Sequence, residues 1–88
     1  MKISLLLTDI DILKIDKNIK FEIFEDVTLF DEYTTDILEI GKHVELTADE
    51  NTLINWLKTF KTVWLYIGIH EYIEYHINDE SIKNFYLN

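Results

Sequence analysis

The chain of 88 residues contains no cysteine, no proline and no arginine, and only two glycines. Without cysteine it has no disulfide framework, no zinc–thiolate site and no thiol nucleophile. Two glycines are too few to build a phosphate-binding loop or a dinucleotide-binding turn. Without arginine, its eight lysines offer no basic stripe to neutralise phosphates. We therefore predict that the protein is not an enzyme, uses no cofactor and does not bind nucleic acid directly.

Long hydrophobic runs are missing as well. The longest nearly apolar stretch, 63–69, is far below the roughly 20 residues that cross a bilayer. The apolar N-terminal segment is short and is followed at once by Asp9 and Asp11, unlike a secretory signal peptide. Attachment to an anionic membrane would need clusters of lysine. We predict no membrane partner and a cytoplasmic location.

Negative charge is what the chain has in excess, with 17 acidic residues against 8 basic ones and a net charge of −9. Between Phe21 and Gly41 there are only acidic charges, and we call these seven residues the acidic set: Glu22, Glu25, Asp26, Asp31, Glu32, Asp36 and Glu39. Carboxylates two apart on a strand lie about 6.6 Å apart on one face, and duplex DNA places charges about 3.4 Å apart along the axis of each strand, so a folded acidic ridge can approximate a row of phosphates. The acidic set is therefore a candidate mimic of a phosphate row. The alternative is a solvated edge whose charge prevents aggregation.

Length and composition predict a single globular domain over residues 1–88, because 48% of the residues are hydrophobic and 14% are aromatic. Alternation in the first 46 residues predicts strands, with Ile3, Leu5 and Leu7 on one face. Asp16-Lys17-Asn18 predicts a hairpin turn that pairs Ile15 with Ile19 and Leu13 with Phe21. Gly41-Lys42 predicts a second, type II′ hairpin turn.

The second half predicts helices around one strand. Thr47-Ala48-Asp49-Glu50 matches a capping box, and an apolar stripe of Leu53, Ile54, Leu57 and Phe60 follows it. A strand is predicted at about 62–68, a helix at about 70–77 and a short helix near 79–86, while one continuous helix over 48–77 is the alternative. The predicted fold class is α+β: an antiparallel β-sheet, mainly from residues 1–46 with a possible strand near 62–68, packed by two or three helices from the C-terminal half.

Histidines offer a weak metal signal. On a helix, His70 and Glu74 would be i,i+4 neighbours and could hold a divalent ion, with His43 as a third ligand. The string resembles the H-E-x-x-H zinc motif only in part, because Glu74 stands where the second histidine belongs. We favour a structural role for these side chains and predict no metal site.

The predicted partner-binding residues are the acidic set together with Tyr33. Twelve of the 88 residues are aromatic, and tyrosines beside acidic residues, such as Tyr33, Tyr75 and Tyr86, suit a protein–protein contact better than a nucleic-acid stacking platform, which needs positive charge. No family is recognised over any length of the chain.

In composition the chain resembles small acidic inhibitors of phages and mobile elements, such as anti-CRISPR and anti-restriction proteins, and also toxin-immunity proteins. The resemblance implies a stoichiometric inhibitor that blocks a basic nucleic-acid-binding or substrate-binding site on a nuclease, a nucleic-acid-binding effector or a toxin. Three residues in all of alanine, glycine, arginine and proline, against 14 isoleucines, indicate AT-rich coding and favour the phage reading. A toxin-immunity protein, or a homodimeric structural or adaptor domain without inhibitory activity, is the alternative.

Overall fold

A computed structural model describes residues 1–78 of the chain. They form two short helices and one antiparallel sheet of five strands in the order β2-β3-β1-β4-β5. In chain order the elements are β1 (Lys2–Leu7), α1 (Asp9–Leu13), β2 (Lys20–Phe30), β3 (Ile37–Thr47), α2 (Glu50–Leu57), β4 (Thr62–Gly68) and β5 (Glu71–His76). No helix among these residues is long and apolar enough to cross a membrane.

The hydrophobic core lies between the helices and one face of the sheet. The predicted shared face of Ile3, Leu5 and Leu7 in β1 is confirmed, since all three belong to this core, while Leu6 is buried outside it. They join Val44 and Leu46 of β3, which β1 pairs with directly, and the buried side of α2, namely Leu53, Trp56 and Leu57. The indole Nε1 of Trp56 donates to the Lys14 carbonyl oxygen at 3.0 Å, which ties α2 to the end of α1.

The predicted fold class is wrong in its balance of elements, because the sheet dominates and only one of the two described helices comes from the second half. Residues 70–77, predicted as a helix, instead contain β5, which pairs with β4. Positive φ angles at Gly68 (117°), Ile69 (48°) and His70 (61°) turn the chain back at this point. The strand at 62–68 is confirmed, and the single helix over 48–77 is excluded. The helix near 79–86 falls outside the described residues.

Both predicted hairpin turns are also wrong. Residues 9–13 form α1 rather than a strand, because Thr8 and Asp11 cap the helix reciprocally at its N-terminus. The chain does turn at Asp16, whose side chain accepts from the Asn18 N–H at 2.8 Å, but this turn leads from α1 into β2. Gly41 lies inside β3, opposite Val27 of β2.

Helix α2 begins two residues later than the sequence predicts. Thr47 is the last residue of β3, and the N-cap is Asp49, whose carboxylate accepts from the Thr52 N–H and hydroxyl, both at 2.9 Å. These hydrogen bonds, the backbone one first, lower the pKa of Asp49 from its ordinary 3.8. A lowered carboxyl pKa means that the contribution of the cap to stability is present above pH 3.8 and is lost as the pH falls below it.

We expect Asp49→Ala to lower the urea midpoint of unfolding at pH 7, whereas Asp49→Asn should lower it less, because asparagine is a good N-cap but lacks the carboxylate charge. Thr47→Ala is the matched control and should have the smaller effect. The difference between wild type and Asp49→Ala should shrink when urea titrations are repeated below pH 3.8. A larger effect of Thr47→Ala than of Asp49→Ala would contradict this assignment of the cap.

Candidate protein-binding surface

All eight predicted partner-binding residues lie on one hairpin, made by β2, β3 and the loop 31–36. Four of them lie in the loop (Asp31, Glu32, Tyr33 and Asp36), three in β2 (Glu22, Glu25 and Asp26) and one in β3 (Glu39). Because β2 is at one end of the strand order, the hairpin forms an edge of the sheet. The negative charge that is concentrated in one segment of the sequence is therefore concentrated at one edge of the sheet.

The far half of this hairpin extends beyond β1. Pairing of β1 with β3 ends at Leu7, which lies opposite Lys42, whereas β2 and β3 continue to pair as far as Phe30 and Ile37. We call residues 27–40 the arm: a two-stranded ribbon with its loop, which β1 does not flank. None of its residues belongs to the buried core cluster.

The acidic set does not form one continuous row. Register places Glu22 and Glu25 on the face of the sheet opposite the helices, opposite Glu45 and His43 respectively. Asp26 follows on the helix-bearing face, opposite Lys42. A bulge between Ile23 and Glu25 causes this arrangement, because without the extra residue Glu22 and Glu25 would point to opposite faces.

The carboxylate of Asp31 organises the loop of the arm. It accepts from the backbone N–H groups of Tyr33 at 2.8 Å and Thr34 at 3.0 Å, and these bonds lower the pKa of Asp31. The Asp31 N–H donates to the Asp36 carbonyl oxygen at 2.8 Å and closes the loop. Asp31 therefore shapes the loop in addition to charging it, while the side chain of Tyr33 is 90% exposed.

Asp26 is the member of the acidic set that is most clearly neutralised within the chain. Its carboxylate lies 2.6 Å from the Lys42 ammonium, which is also 3.8 Å from Asp9. The hydrogen bond and charge of Asp26, with a smaller contribution from Asp9, raise the pKa of Lys42. We therefore expect Asp26 to contribute less to an external partner than the acids of the loop.

An aromatic cluster that the sequence did not predict covers the face opposite the helices. The ring of His43 lies between Tyr66 at 4.4 Å and Phe24 at 5.4 Å, and Tyr72 meets it edge-on at 6.0 Å. Burial of the Tyr72 hydroxyl, followed by the nearby charge of Glu25, raises the pKa of Tyr72. Tyr66 and Tyr72 lie directly opposite each other in β4 and β5. The sequence therefore indicates the cluster only once these two strands are known to pair.

Glu25 links the two ends of the sheet. Its carboxylate lies 3.4 Å from Nδ1 of His70, in the turn between β4 and β5, although β2 and β5 are the two outermost strands. The sheet is therefore strongly curled around the aromatic cluster. This contact lies at the base of the hairpin, before the arm begins.

The arm also exposes large apolar side chains that the sequence did not single out. They share high exposure and lie beside the acids of the loop and of β3: Phe30, Ile37, Leu38 and Ile40. Exposed apolar groups that adjoin charges are typical of a surface for another protein. The available signal was the mixed apolar and acidic pattern of residues 36–40.

The sequence offered His70 and Glu74 as possible metal ligands only if both were on one helix. They are not on a helix in the structure. His70 contacts Glu25, and Nε2 of His76 lies 3.8 Å from Glu74. Residues 1–78 contain no group of three or more histidine, aspartate or glutamate side chains that could hold a metal ion.

No protein-family model, curated protein or solved structure matches this chain.

Proposed function

We propose that the protein is a small acidic stoichiometric inhibitor that binds and blocks a basic surface on a larger protein, such as a nuclease, a nucleic-acid-binding effector or a toxin. The observation that carries the proposal is the arm, which combines the acidic residues of its loop with exposed apolar side chains. Acidic side chains alone could serve only to keep the surface hydrated. Acidic side chains beside the exposed Phe30, Tyr33 and Ile37 are typical of a protein interface. We infer that the protein acts in the cytoplasm, without catalysis or a cofactor.

The electrostatics of the arm support a basic partner. Glu32 and Asp36 form no ion pair with any residue of the described range 1–78, and Lys42 is held by Asp26 and Asp9. Carboxylates without an internal ion pair attract a cationic surface towards the arm and raise the association rate. This effect weakens as the salt concentration rises. Within this class we favour an anti-defence protein of a phage or mobile element, because small size, AT-rich coding and acidity suit proteins of such elements.

The test compares two double variants that each remove two charges. Glu32→Gln with Asp36→Asn neutralises the loop and leaves Asp31 to shape it, whereas Glu71→Gln with Glu74→Gln neutralises β5. A target captured from the source cells by the tagged wild-type protein should lose its nucleic-acid or substrate binding when an equimolar amount is added. The loop variant should bind that target about tenfold or more weakly, since close interfacial charge pairs couple by about 1.5–7 kcal/mol.

The β5 variant should bind as wild type does, and both variants should retain the wild-type urea midpoint, since exposed charges contribute little to stability. Equal weakening by both variants would show that net charge alone drives association. If no captured protein is blocked and the mass of the protein instead rises with its concentration, the homodimeric adaptor replaces the inhibitor.

A further inference from the structure

Strand β2 offers an open hydrogen-bonding edge. Within residues 1–78 it pairs with β3 on one side and with no strand on the other. In an antiparallel pair, alternate residues turn their N–H and C=O groups outward, so about half of β2 presents unpaired backbone groups. Every residue from Lys20 to Asp26 is exposed. An extended segment of another protein can therefore hydrogen-bond along this edge.

The side chains of β2 specify what such a segment must carry. Phe21 and Ile23 lie on the helix-bearing face and are each about half exposed, whereas Glu22 and Glu25 lie on the opposite face, with the bulge residue Phe24 between them against His43. A strand that is added beside β2 places its own side chains next to these two sets in alternation. Apolar residues are therefore favoured on one face of the added strand and cationic residues on the other.

Glu22 gives an independent reason to expect a cation. Register places it directly opposite Glu45, and like charges in that position destabilise a strand pair. Glu45 is 3.3 Å from Lys2, but no ion pair links Glu22 to any residue of the described part of the chain. A lysine or arginine on the open side of β2 would offset this repulsion.

We propose that a cationic, amphipathic β-strand of the partner adds to β2 as a sixth strand of the sheet. The inference rests on the proposed function and specifies how the basic partner is held: main-chain hydrogen bonds along the exposed stretch Lys20–Asp26 supply affinity, and alternating cationic and aliphatic side chains supply specificity. The arm then lies against the surface next to that strand. The other outer strand, β5, is the poorer template, because it has 6 residues against 11 in β2.

The probe is a synthetic peptide of about eight residues that alternates lysine and valine, a typical strand length. In amide hydrogen exchange we expect the peptide to protect β2 and to leave β5 unchanged. A peptide of the same composition with its lysines and valines in two blocks is the control, and it should bind about tenfold or more weakly, because it cannot match the alternation in β2. Glu22→Gln with Glu25→Gln should weaken binding of the alternating peptide only.

Two N-methylated versions of the peptide test for main-chain pairing directly. Methylation at every lysine or at every valine blocks one edge of the peptide and leaves the other edge free, because alternate N–H groups point in opposite directions. One version should bind as the parent does, and the other should lose binding by about tenfold or more.

Equal binding of the two methylated peptides, equal binding of the block peptide, or protection of β5 in place of β2 would each overturn strand addition. The proposed function is judged separately by the double variant of the loop against the captured target. If that variant releases the target while the peptides fail, the inhibitor stands and the strand-addition mode is wrong.

Discussion

Leu57→Ala is expected to destabilise the protein by about 2–5 kcal/mol, which approaches the total stability of a small domain. Leu57 is 1% exposed and belongs to the same buried cluster as Leu5 of the sheet and Leu53 of α2. Truncation removes buried apolar surface and leaves a cavity that a short helix cannot close by shifting. The loss should appear as a strongly lowered urea midpoint or as the absence of a cooperative transition.

Leu13→Ala is the matched control for this change, because it removes the same atoms from a side chain that is 86% exposed at the end of α1. Its urea midpoint should stay close to that of the wild type. Similar midpoints for the two variants would mean that α2 does not cover the core as described.

Gly41→Ala is the second change with a large expected effect, about 1–3 kcal/mol or more, because it overpacks a site where two backbones meet. A Cβ at Gly41 would lie 2.9 Å from the carbonyl carbon of Leu7 and closer still to its oxygen. Neither atom can move unless β1 separates from β3 at the end of their pairing. Thermal or urea unfolding gives the size of the effect, and amide exchange should show the loosening in β1.

Ile40→Ala supplies the comparison for Gly41→Ala, since Ile40 is the preceding residue of β3 and is exposed. It should change stability far less. If Gly41→Ala is instead neutral, the close approach of Leu7 to β3 is not a feature of the folded protein.

Local pattern was sufficient to predict two of the strands. The shared parity of Ile3, Leu5 and Leu7 predicted β1, and the β-branched and aromatic run at 62–68 predicted β4, although Val63 is the only residue of that run that is buried. Helix α1 was missed although its signal was present: Thr8 and Asp11 have the spacing of a capping box, and a five-residue helix leaves little periodicity to detect.

Long-range contacts explain the errors that pattern could not avoid. Glycine is common in turns, and Gly41 was therefore predicted to lie in one. Its role is instead to let β3 pass close to Leu7, which is distant in the chain. The spacing of Tyr72, Ile73 and His76 is helical, and on a strand these residues divide between the two faces. Pairing with β4, a long-range contact, overrides the local spacing. For the candidate site, the sequence delimits the acidic segment between Phe21 and Gly41. The division of its carboxylates between the two faces of the sheet depends on the bulge in β2, which the sequence does not indicate.

The early end of β1 at Leu7 has an evolutionary consequence. Since the arm lies past the last residue that β1 pairs with, its side chains contribute little to the buried core, and substitutions there leave folding almost untouched. Under the proposed function, the residues of the arm that meet the partner can then change rapidly under selection while the scaffold is inherited intact. An inhibitor of this kind would follow a changing target by altering the arm alone.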